Sequence, residues 1–430
     1  MKRVLTIVFA ILMVFGVITT SAAAQDLQYV RKQLIKLCSP ELYGRGYYKR
    51  GDGIAADYIA QQLKQVGAKP FGTSYLQPYH FNVNIMNEVT VKFNGQELKY
   101  ARDYVVNPRS SSLNGAFKPI MINACVLADP HKLIAALNDG EAPKVVVLDS
   151  MGLKNAALFE LVKTMALEKQ YGIAALIEVF SYTPVSGPGR GVLNIPHIMV
   201  NRASVPTVLD QVELDIVNEY NENYPTQNVI GYIQGQTDRY IVFTAHYDAF
   251  GCFGEKNLYQ GAEDNASGTA MVMDLARHYA DGPKPYYSVA FMLFSGEEPG
   301  LLGSTFYVNN PVFPLDKIKL VINLDMVMTG QDGVLLFNGN VRPNEAAIVQ
   351  KINEENLYMK NVENADPSSH SDHHPFHEKG VPAIFFLTKG AFGAGHTPDD
   401  TYDKLPLYAY ENLFRLVIEI PEELRKQEVK

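Results

Sequence analysis

Residues 239–246 read RYIVFTAH, an apolar run that ends on a histidine, and this stretch decides the fold. A run of this length, rich in β-branched and aromatic residues, predicts a buried strand, and a helical pattern follows it from Gly268 to Tyr279. The same order of strand and helix continues through SVAFMLFS at 288–295, a helical run at 303–309, LVINLDM at 320–326 and VPAIFFLT at 381–388. This alternation predicts an α/β fold with a mostly parallel, mixed sheet and helices on both faces.

The region before this core begins with two helical patterns, from Leu27 to Leu37 and from Gly53 to Val66. Residues 81–106 then alternate apolar and polar side chains around Asn94-Gly95, a dipeptide that favours a tight turn between paired strands. We therefore expect a hairpin here.

Residues 106–224 differ in character, with short strand patterns separated by a helical run and by the Gly/Pro-rich segment SGPGRG at 186–191. The strand patterns include KPIMINACVL at 118–127. We interpret 106–224 as a small inserted α/β domain, and 25–105 together with 225–430 as the main domain.

The composition is that of a folded protein with a large core. The chain has 430 residues, 47% of them apolar and 20% charged. Its 46 acidic and 38 basic residues give a formal net charge of −8, which disfavours nucleic acid or an anionic membrane as a partner. The three cysteines form no CxxC pair, so neither a thiolate zinc site nor a disulfide scaffold is indicated.

The first residues have the features of a secretory signal peptide. Lys2 and Arg3 precede an apolar run from Val4 to Ile18, and the small residues at 22–24 offer a cleavage site. The alternative is a membrane anchor, but this run is shorter than the ~20 residues that a spanning helix needs. We predict cleavage after residue 24, no stable membrane anchor afterwards, and a periplasmic or secreted protein.

Polar clusters follow the predicted strands, where open α/β sheets carry ligand sites. They contain the residues His246 and Asp248, Asp264, Glu297 and Glu298, Asp325, and His396. Each cluster alone has a simpler explanation, such as a helix cap for 261–268 or a solvated loop for the paired glutamates. Together they offer imidazole and carboxylate donors without any thiolate, which suits zinc or a similar divalent metal in a catalytic site.

The tract HSDHHPFH at 370–377 is rich in histidine, a composition that is also found in metal sites. Its spacing lacks a pair of histidines separated as in HExxH, so a direct ligand set is the less favoured interpretation.

The ordered motifs resemble a known family, the co-catalytic di-zinc exopeptidases that include aminopeptidase Y, bacterial leucyl aminopeptidase and plasma glutamate carboxypeptidase. The resemblance rests on SPELYGRGYYKRGDGIAADYIAQQLKQVGAKP at 39–70, HYD at 246–248, GAEDNASG at 261–268, SGEEPGLLGS at 295–304, NLDM at 323–326, SDHHPF at 371–376 and GHTPDD at 395–400. Residues 106–224 resemble the protease-associated insert that several members carry. The resemblance implies a secreted zinc peptidase with peptide substrates, most simply an aminopeptidase.

The resemblance also implies roles for individual residues. His246 and Asp325 would hold one of two Zn²⁺ ions per chain, and Glu298 and His396 would hold the other. Asp264 would bridge the two ions, and its peptide bond to Asn265 would be cis.

Two further residues receive roles from the same resemblance. Glu297 would act as the general base that activates a water shared by the two ions, and Asp248 would orient His246 from behind. Where some members have a tyrosine that helps to stabilise the oxyanion, this chain has Ser369 and Gly395.

Three alternatives stay open at this point. A glutaminyl cyclase, an acyltransferase with one zinc, resembles the chain in its HYD and paired glutamates. A dipeptidase or carboxypeptidase of the same family would share the whole ligand set. A non-catalytic binding protein on this scaffold would be expected to lack some of the ligands.

Overall fold

The structure is a computed structural model that describes residues 26–152 and 156–428. The predicted signal segment 1–24 lies outside the described residues, so export stays a prediction. Over the described part, no helix is both long enough and apolar enough to cross a bilayer.

Fifteen strands and ten α-helices are formed over residues 26–152 and 156–428. The strands are β1 Leu76–Phe93, β2 Gln96–Glu97, β3 Tyr104–Val106, β4 Leu113–Phe117, β5 Pro119–Ile122, β6 Lys144–Asp149, β7 Ile173–Phe180, β8 His197–Asn201, β9 Val212–Ile233, β10 Tyr240–His246, β11 Ser288–Phe294, β12 Ile318–Leu324, β13 Val334–Phe337, β14 Val362–Asn364 and β15 Ala383–Thr388. The helices are α1 Leu27–Leu37, α2 Gly51–Gln65, α3 Ala124–Leu127, α4 Pro130–Asn138, α5 Ala156–Leu167, α6 Ser267–Asp281, α7 Leu302–Asn309, α8 Pro343–Asn356, α9 His373–Glu378 and α10 Tyr410–Glu428.

The centre of the larger sheet is parallel. Strand β10 pairs with β11 on one side and β12 on the other, and β12 pairs with β15, all in parallel. The antiparallel strands β9 and β13 continue the sheet in the two directions, next to β11 and β15. Because β11, β10, β12 and β15 run the same way, their carboxyl ends meet at one edge, as the sequence predicts.

Successive side chains of a strand point to opposite faces of the sheet, so the apolar strands of this sheet present apolar side chains on both faces. Helices cover both faces. Ile241 and Phe243 of β10 pack in a core with residues of α1, α2, α6 and α10. Val242, between them, packs on the opposite face with Tyr307 of α7 and Phe376 of α9. The predicted α/β fold with helices on both faces is therefore confirmed.

The predicted hairpin is confirmed at its turn. Phe93 pairs with Gln96, and the two residues between them, Asn94 and Gly95, have φ angles of 50° and 78°. Positive φ at both positions is what a tight turn of this kind requires, and Asn and Gly adopt it most readily. The strand before the turn, β1, pairs with β9 over most of its length.

A second sheet of five strands lies within residues 104–201 of the described chain, in the order β3-β8-β7-β6-β5. One expectation here is wrong: 118–127 is not a single strand, because β5 ends at Ile122 and α3 begins at Ala124. Asn123 caps this short helix, since its side chain accepts hydrogen bonds from the backbone N–H groups of Cys125 and Val126. The domain limits and the identity of this module as a protease-associated insert stay predictions.

Candidate metal centre

The carboxyl edge of the parallel strands brings the sequence-predicted residues together. His246 is the last residue of β10, Asp325 follows β12 directly, and Glu297 and Glu298 lie just beyond β11. Asp264 precedes α6. Side chains from five separate segments, including that of His396, therefore face one cavity of about 440 Å³.

His246 lies between two carboxylates. Its Nε2 atom is 3.3 Å from Oδ1 of Asp264 and 3.3 Å from Oδ1 of Asp325. Oε2 of Glu297 lies 4.0 Å from the same nitrogen. All of these groups converge on one side of a buried imidazole.

A second imidazole faces the other oxygen of Asp264. Nε2 of His396 is 2.9 Å from Oδ2 of Asp264 and 3.5 Å from Oε2 of Glu298. The half-exposed ring of His396 stacks on Phe250, with the ring centroids 4.4 Å apart. Asp264 therefore presents one oxygen to each histidine, which is the arrangement that a carboxylate bridging two cations needs.

The charges of the site fit bound cations. Among the described residues, the ion pairs of the four carboxylates, Asp264, Glu297, Glu298 and Asp325, are all with histidine, so no Lys or Arg neutralises them. Carboxylates held this close in a buried site repel one another strongly. Imidazole and carboxylate oxygens are also the donors that zinc accepts. The residues present therefore fit a pair of zinc ions.

The pKa values of the candidate ligands reflect this crowding. Burial, followed by the charge of neighbouring carboxylates, raises the pKa of Glu298 to about 7, and burial raises the pKa of Glu297 well above its usual range. Burial opposes the charged form of His246, but the carboxylates of Asp325 and Glu297 outweigh it and raise the pKa of the imidazole well above its usual range.

Asp248 supports the site from behind, in a way that differs from the expectation. Nδ1 of His246 lies 3.1 Å from the backbone carbonyl oxygen of Asp248, closer than the 3.7 Å to its carboxylate. The carboxylate instead accepts hydrogen bonds from the backbone N–H groups of Glu297 and Glu298 and from Oη of Tyr47. Asp248 therefore positions both the imidazole and the loop that carries the paired glutamates.

A chain of hydroxyl and amide groups positions Asp325. The hydroxyl of Ser371 donates to Oδ2 of Asp325 at 2.7 Å, and Nδ2 of Asn323 donates to the hydroxyl of Ser371 at 2.7 Å. The hydroxyl of Thr244 in turn donates to Oδ1 of Asn323. Sequence reasoning missed this chain, although polar side chains inside apolar strands are a signal for it.

Asp400 positions the backbone of the bridging residue. Its two carboxylate oxygens accept hydrogen bonds from the backbone N–H groups of Glu263 and Asp264, at 2.8 and 3.1 Å. The peptide bond between Asp264 and Asn265 is cis, as the resemblance implies. Asp400 stands in the motif GHTPDD, yet sequence reasoning assigned no role to it.

Arg45, also missed from the sequence, connects the segments that carry His246 and Asp264. Its fully buried guanidinium donates to four backbone carbonyl oxygens at 2.6–2.8 Å. The acceptors belong to Leu37, Tyr247, Gln260 and Gly261. A planar group with several fixed N–H donors is suited to hold separate loops in one arrangement.

Replacing Arg45 with Ala is expected to lower the free energy of unfolding by about 3–5 kcal/mol, because four buried carbonyl groups lose a charged donor. Urea unfolding followed by circular dichroism measures this. Arg31→Ala, on the exposed side of α1, is the matched control and is expected to stay within about 0.5 kcal/mol of the wild type. Equal stability of the two variants would contradict the role of Arg45.

The histidine-rich tract does not join the candidate ligands within the described part of the chain. His373 is fully buried and packs on the ring of Phe385, with centroids 4.9 Å apart, and burial lowers its pKa to about 3. His370 lies at the cavity wall. The less favoured interpretation of the tract as a ligand set is therefore not supported.

Apart from the candidate ligands, the wall of the cavity is largely apolar. Its apolar walls are formed by Leu301, Met326, Phe337, Phe385 and Leu387. No Lys or Arg is among the described residues that line it.

A parallel α/β sheet with buried imidazoles and carboxylates at its carboxyl edge is typical of metal-dependent hydrolases. Residues 228–420 match the model of peptidase family M28. The resemblance to di-zinc exopeptidases is thereby confirmed.

Two relatives illustrate the similarity. Aminopeptidase YwaD of Bacillus subtilis (strain 168) is 26% identical over 255 residues, which are 55% of this chain and 53% of that protein. The glutamate carboxypeptidase 2 homolog of Caenorhabditis elegans is 31% identical over 230 residues, 44% of this chain and 26% of that protein. The chain thus spans about half the length of the first relative and about a quarter of the second.

Solved structures agree on the fold. The structure of BSAP, a zinc aminopeptidase from Bacillus subtilis, has a TM-score of 0.66 and 19% identity, and the match covers 92% of this chain and 94% of that chain. At this identity the likeness shows a shared fold.

Proposed function

We propose that this protein is a zinc-dependent exopeptidase that removes amino-terminal residues from peptides. The observation that carries the proposal is that Asp264 lies between the imidazoles of His246 and His396. The carboxylate of Asp325 lies beside His246, and that of Glu298 lies beside His396. Glu297 adds one more carboxylate near His246.

His246 and Asp325 would hold one zinc ion, Glu298 and His396 the second, and Asp264 both. Two zinc ions in such a site polarise a peptide carbonyl, stabilise negative charge on its oxygen and make a water molecule easier to deprotonate. Two imidazoles that face the two oxygens of one carboxylate, Asp264, favour two ions over the single zinc of the cyclase alternative.

Glu297 is proposed to transfer the proton. Its carboxylate takes a proton from the attacking water as the water oxygen bonds to the carbonyl carbon and the π electrons of the C=O bond move to the carbonyl oxygen. When the C–N bond then breaks, its electron pair stays on nitrogen, which takes the proton from Glu297 and leaves as an amine. Hydrogen bonds from two backbone N–H groups to Asp248 keep the loop of Glu297 in place for both steps.

The cavity favours an aminopeptidase over a carboxypeptidase. A terminal α-carboxylate is held most strongly by Lys or Arg when it leaves water, and the described lining contains neither residue. A terminal α-ammonium group would instead find carboxylates. The apolar walls suit a first residue with an aliphatic or aromatic side chain.

A peptide ladder tests the direction of cleavage. A long unmodified peptide with a leucine at its amino terminus is incubated with zinc-loaded protein, and its mass is followed over time. We expect products that lose residues from the amino terminus, and no cleavage of the same peptide with an acetylated amino terminus. A ladder from the carboxyl terminus, or equal cleavage of the acetylated peptide, would contradict aminopeptidase activity.

A further inference from the structure

The two histidines of the candidate metal centre differ in what orients their rings. His246 is buried, and its Nδ1 atom lies 3.1 Å from the backbone carbonyl oxygen of Asp248, a contact that fixes the orientation of a ligating imidazole. The side chain of His396 is 44% exposed. Within the described part of the chain, the polar contacts of its ring are those of Nε2 with Asp264 and Glu298, so its Nδ1 has no comparable partner.

An aromatic contact takes the place of that hydrogen bond. The rings of Phe250 and His396 stack with their centroids 4.4 Å apart and their planes only 18° from parallel. The lone pairs that bind a metal lie in the plane of the imidazole, whereas the stack covers its face. Phe250 therefore limits the tilt of the His396 ring without competing for a bound ion.

The ring of Phe250 is itself held from two further directions. Its centroid lies 5.6 Å from that of Tyr259, with the two rings tilted by 52°. At its edge lies Gly187, where the carbon of an added methyl group would be 3.0 Å from both Cε1 and Cζ of Phe250. Packed groups in proteins seldom approach so closely, so the space that the ring occupies depends on the absence of a side chain at residue 187.

The glycine-rich loop 186–191, which contains Gly187, is fixed to its surroundings on both sides of this residue. The hydroxyl of the buried Ser186 donates to the carbonyl oxygen of Val106 at 2.6 Å. The backbone N–H of Asn84 donates to the carbonyl oxygen of Gly189 at 2.8 Å. The loop therefore forms a firm support for the edge of the Phe250 ring.

We propose that Phe250 is a positioning residue for His396, and that the loop 186–191 acts on the second zinc ion through this ring; the inference rests on the two-zinc centre of the proposed function. The contacts run in series from Gly187 to Phe250 and from Phe250 to His396. The loop lies within 106–224, the predicted insert. The insert thus influences metal binding through an aromatic ring, although the proposed ligands all lie outside it.

The role of Phe250 is tested by zinc affinity. Zinc-free protein is titrated with Zn²⁺ in competition with a chelator of known affinity, which gives a dissociation constant for each ion. Phe250→Leu keeps an apolar side chain but removes the planar ring, and we expect one of the two ions to bind on the order of 10-fold more weakly. Phe253→Leu is the matched control, because the same change there removes a ring that stacks on Tyr100. Its zinc affinities should stay within about two-fold of the wild type.

The role of the loop is tested by adding a methyl group at two of its glycines. Gly187→Ala is expected to displace the Phe250 ring and weaken binding of the same ion by about three-fold or more. Gly191→Ala is the matched control, since a methyl carbon there would lie 3.4 Å from Nε of Arg109, near the end of a flexible side chain. In the double variant Gly187→Ala with Phe250→Leu, the glycine change should have no further effect, because the ring through which it acts is absent.

Circular dichroism establishes that each variant is folded before titration, and Gly187→Ala supplies the test if Phe250→Leu does not fold. Wild-type zinc affinities in Phe250→Leu, or an equal loss in Phe253→Leu, would overturn the role of Phe250. Additive effects in the double variant would overturn the link from the loop to His396. A wild-type protein that binds fewer than two zinc ions would overturn the proposed two-zinc centre itself, whereas two ions bound equally well by wild type and Phe250→Leu would overturn only the present inference.

Discussion

Glu297→Gln is expected to lower kcat for peptide hydrolysis by about 10²–10⁴-fold, the range over which a positioned general base contributes. Gln has nearly the same shape as Glu but does not take a proton from water. Because Glu297 lies 4.0 Å from His246, outside the closest contacts of the cluster, the zinc content should stay near that of the wild type. Steady-state kinetics together with metal analysis of the purified protein measure both quantities.

Glu298→Gln is the matched control for this experiment, since it makes the same chemical change at the neighbouring position. The carboxylate of Glu298 lies 3.5 Å from Nε2 of His396, so its loss should weaken zinc binding as well as lower kcat. Full activity of Glu297→Gln, or loss of zinc in that variant, would remove Glu297 from its proposed role as the base.

Asp264→Ala is expected to have the largest effect on metal content. Asp264 contacts both histidines, at 3.3 and 2.9 Å, so the variant loses a ligand of each proposed ion at once. We expect zinc to fall well below the two ions per chain that we propose for the wild type, and kcat/KM to fall by roughly 10³-fold or more. Metal analysis after dialysis and kinetics in added zinc separate the two effects.

The control for Asp264→Ala is Asp399→Ala in the nearby GHTPDD motif. The side chain of Asp399 is 78% exposed and pairs with Lys404 at the surface, so its removal should change neither zinc content nor rate. Retention of about two zinc ions by Asp264→Ala would contradict the bridging role. A metal content near one ion in the wild type would instead favour the single-zinc alternative.

Much of the fold follows from local patterns. The run RYIVFTAH predicts β10, and the patterns around 268–279 and 288–295 predict α6 and β11. Where local reasoning was wrong, at 118–127, an apolar stretch continued past the asparagine that caps α3. An apolar run alone does not distinguish a strand from a short buried helix, because burial demands the same side chains of both.

The meeting of the imidazole and carboxylate side chains at one edge of the sheet was predictable from their types and from the strands that most of them follow. Their supporting groups were not. Arg45, Ser371 and Asp400 contact residues as far as 216, 48 and 137 positions away in sequence, and nothing in their own neighbourhoods indicates those distant partners. Hydrogen bonds of this kind depend on where distant segments meet.

By its own pattern the sequence determines the order of strands and helices and the supply of imidazole and carboxylate donors, because periodicity and residue chemistry are local properties. The tertiary structure alone decides that Asp264 faces two histidines with its two oxygens, that the Asp248 carboxylate accepts hydrogen bonds from the backbone of the paired glutamates, and that His370 lines the cavity. Those arrangements arise when parallel strands from distant stretches place their carboxyl ends at one edge, and the resulting packing fixes distances that residue types leave open.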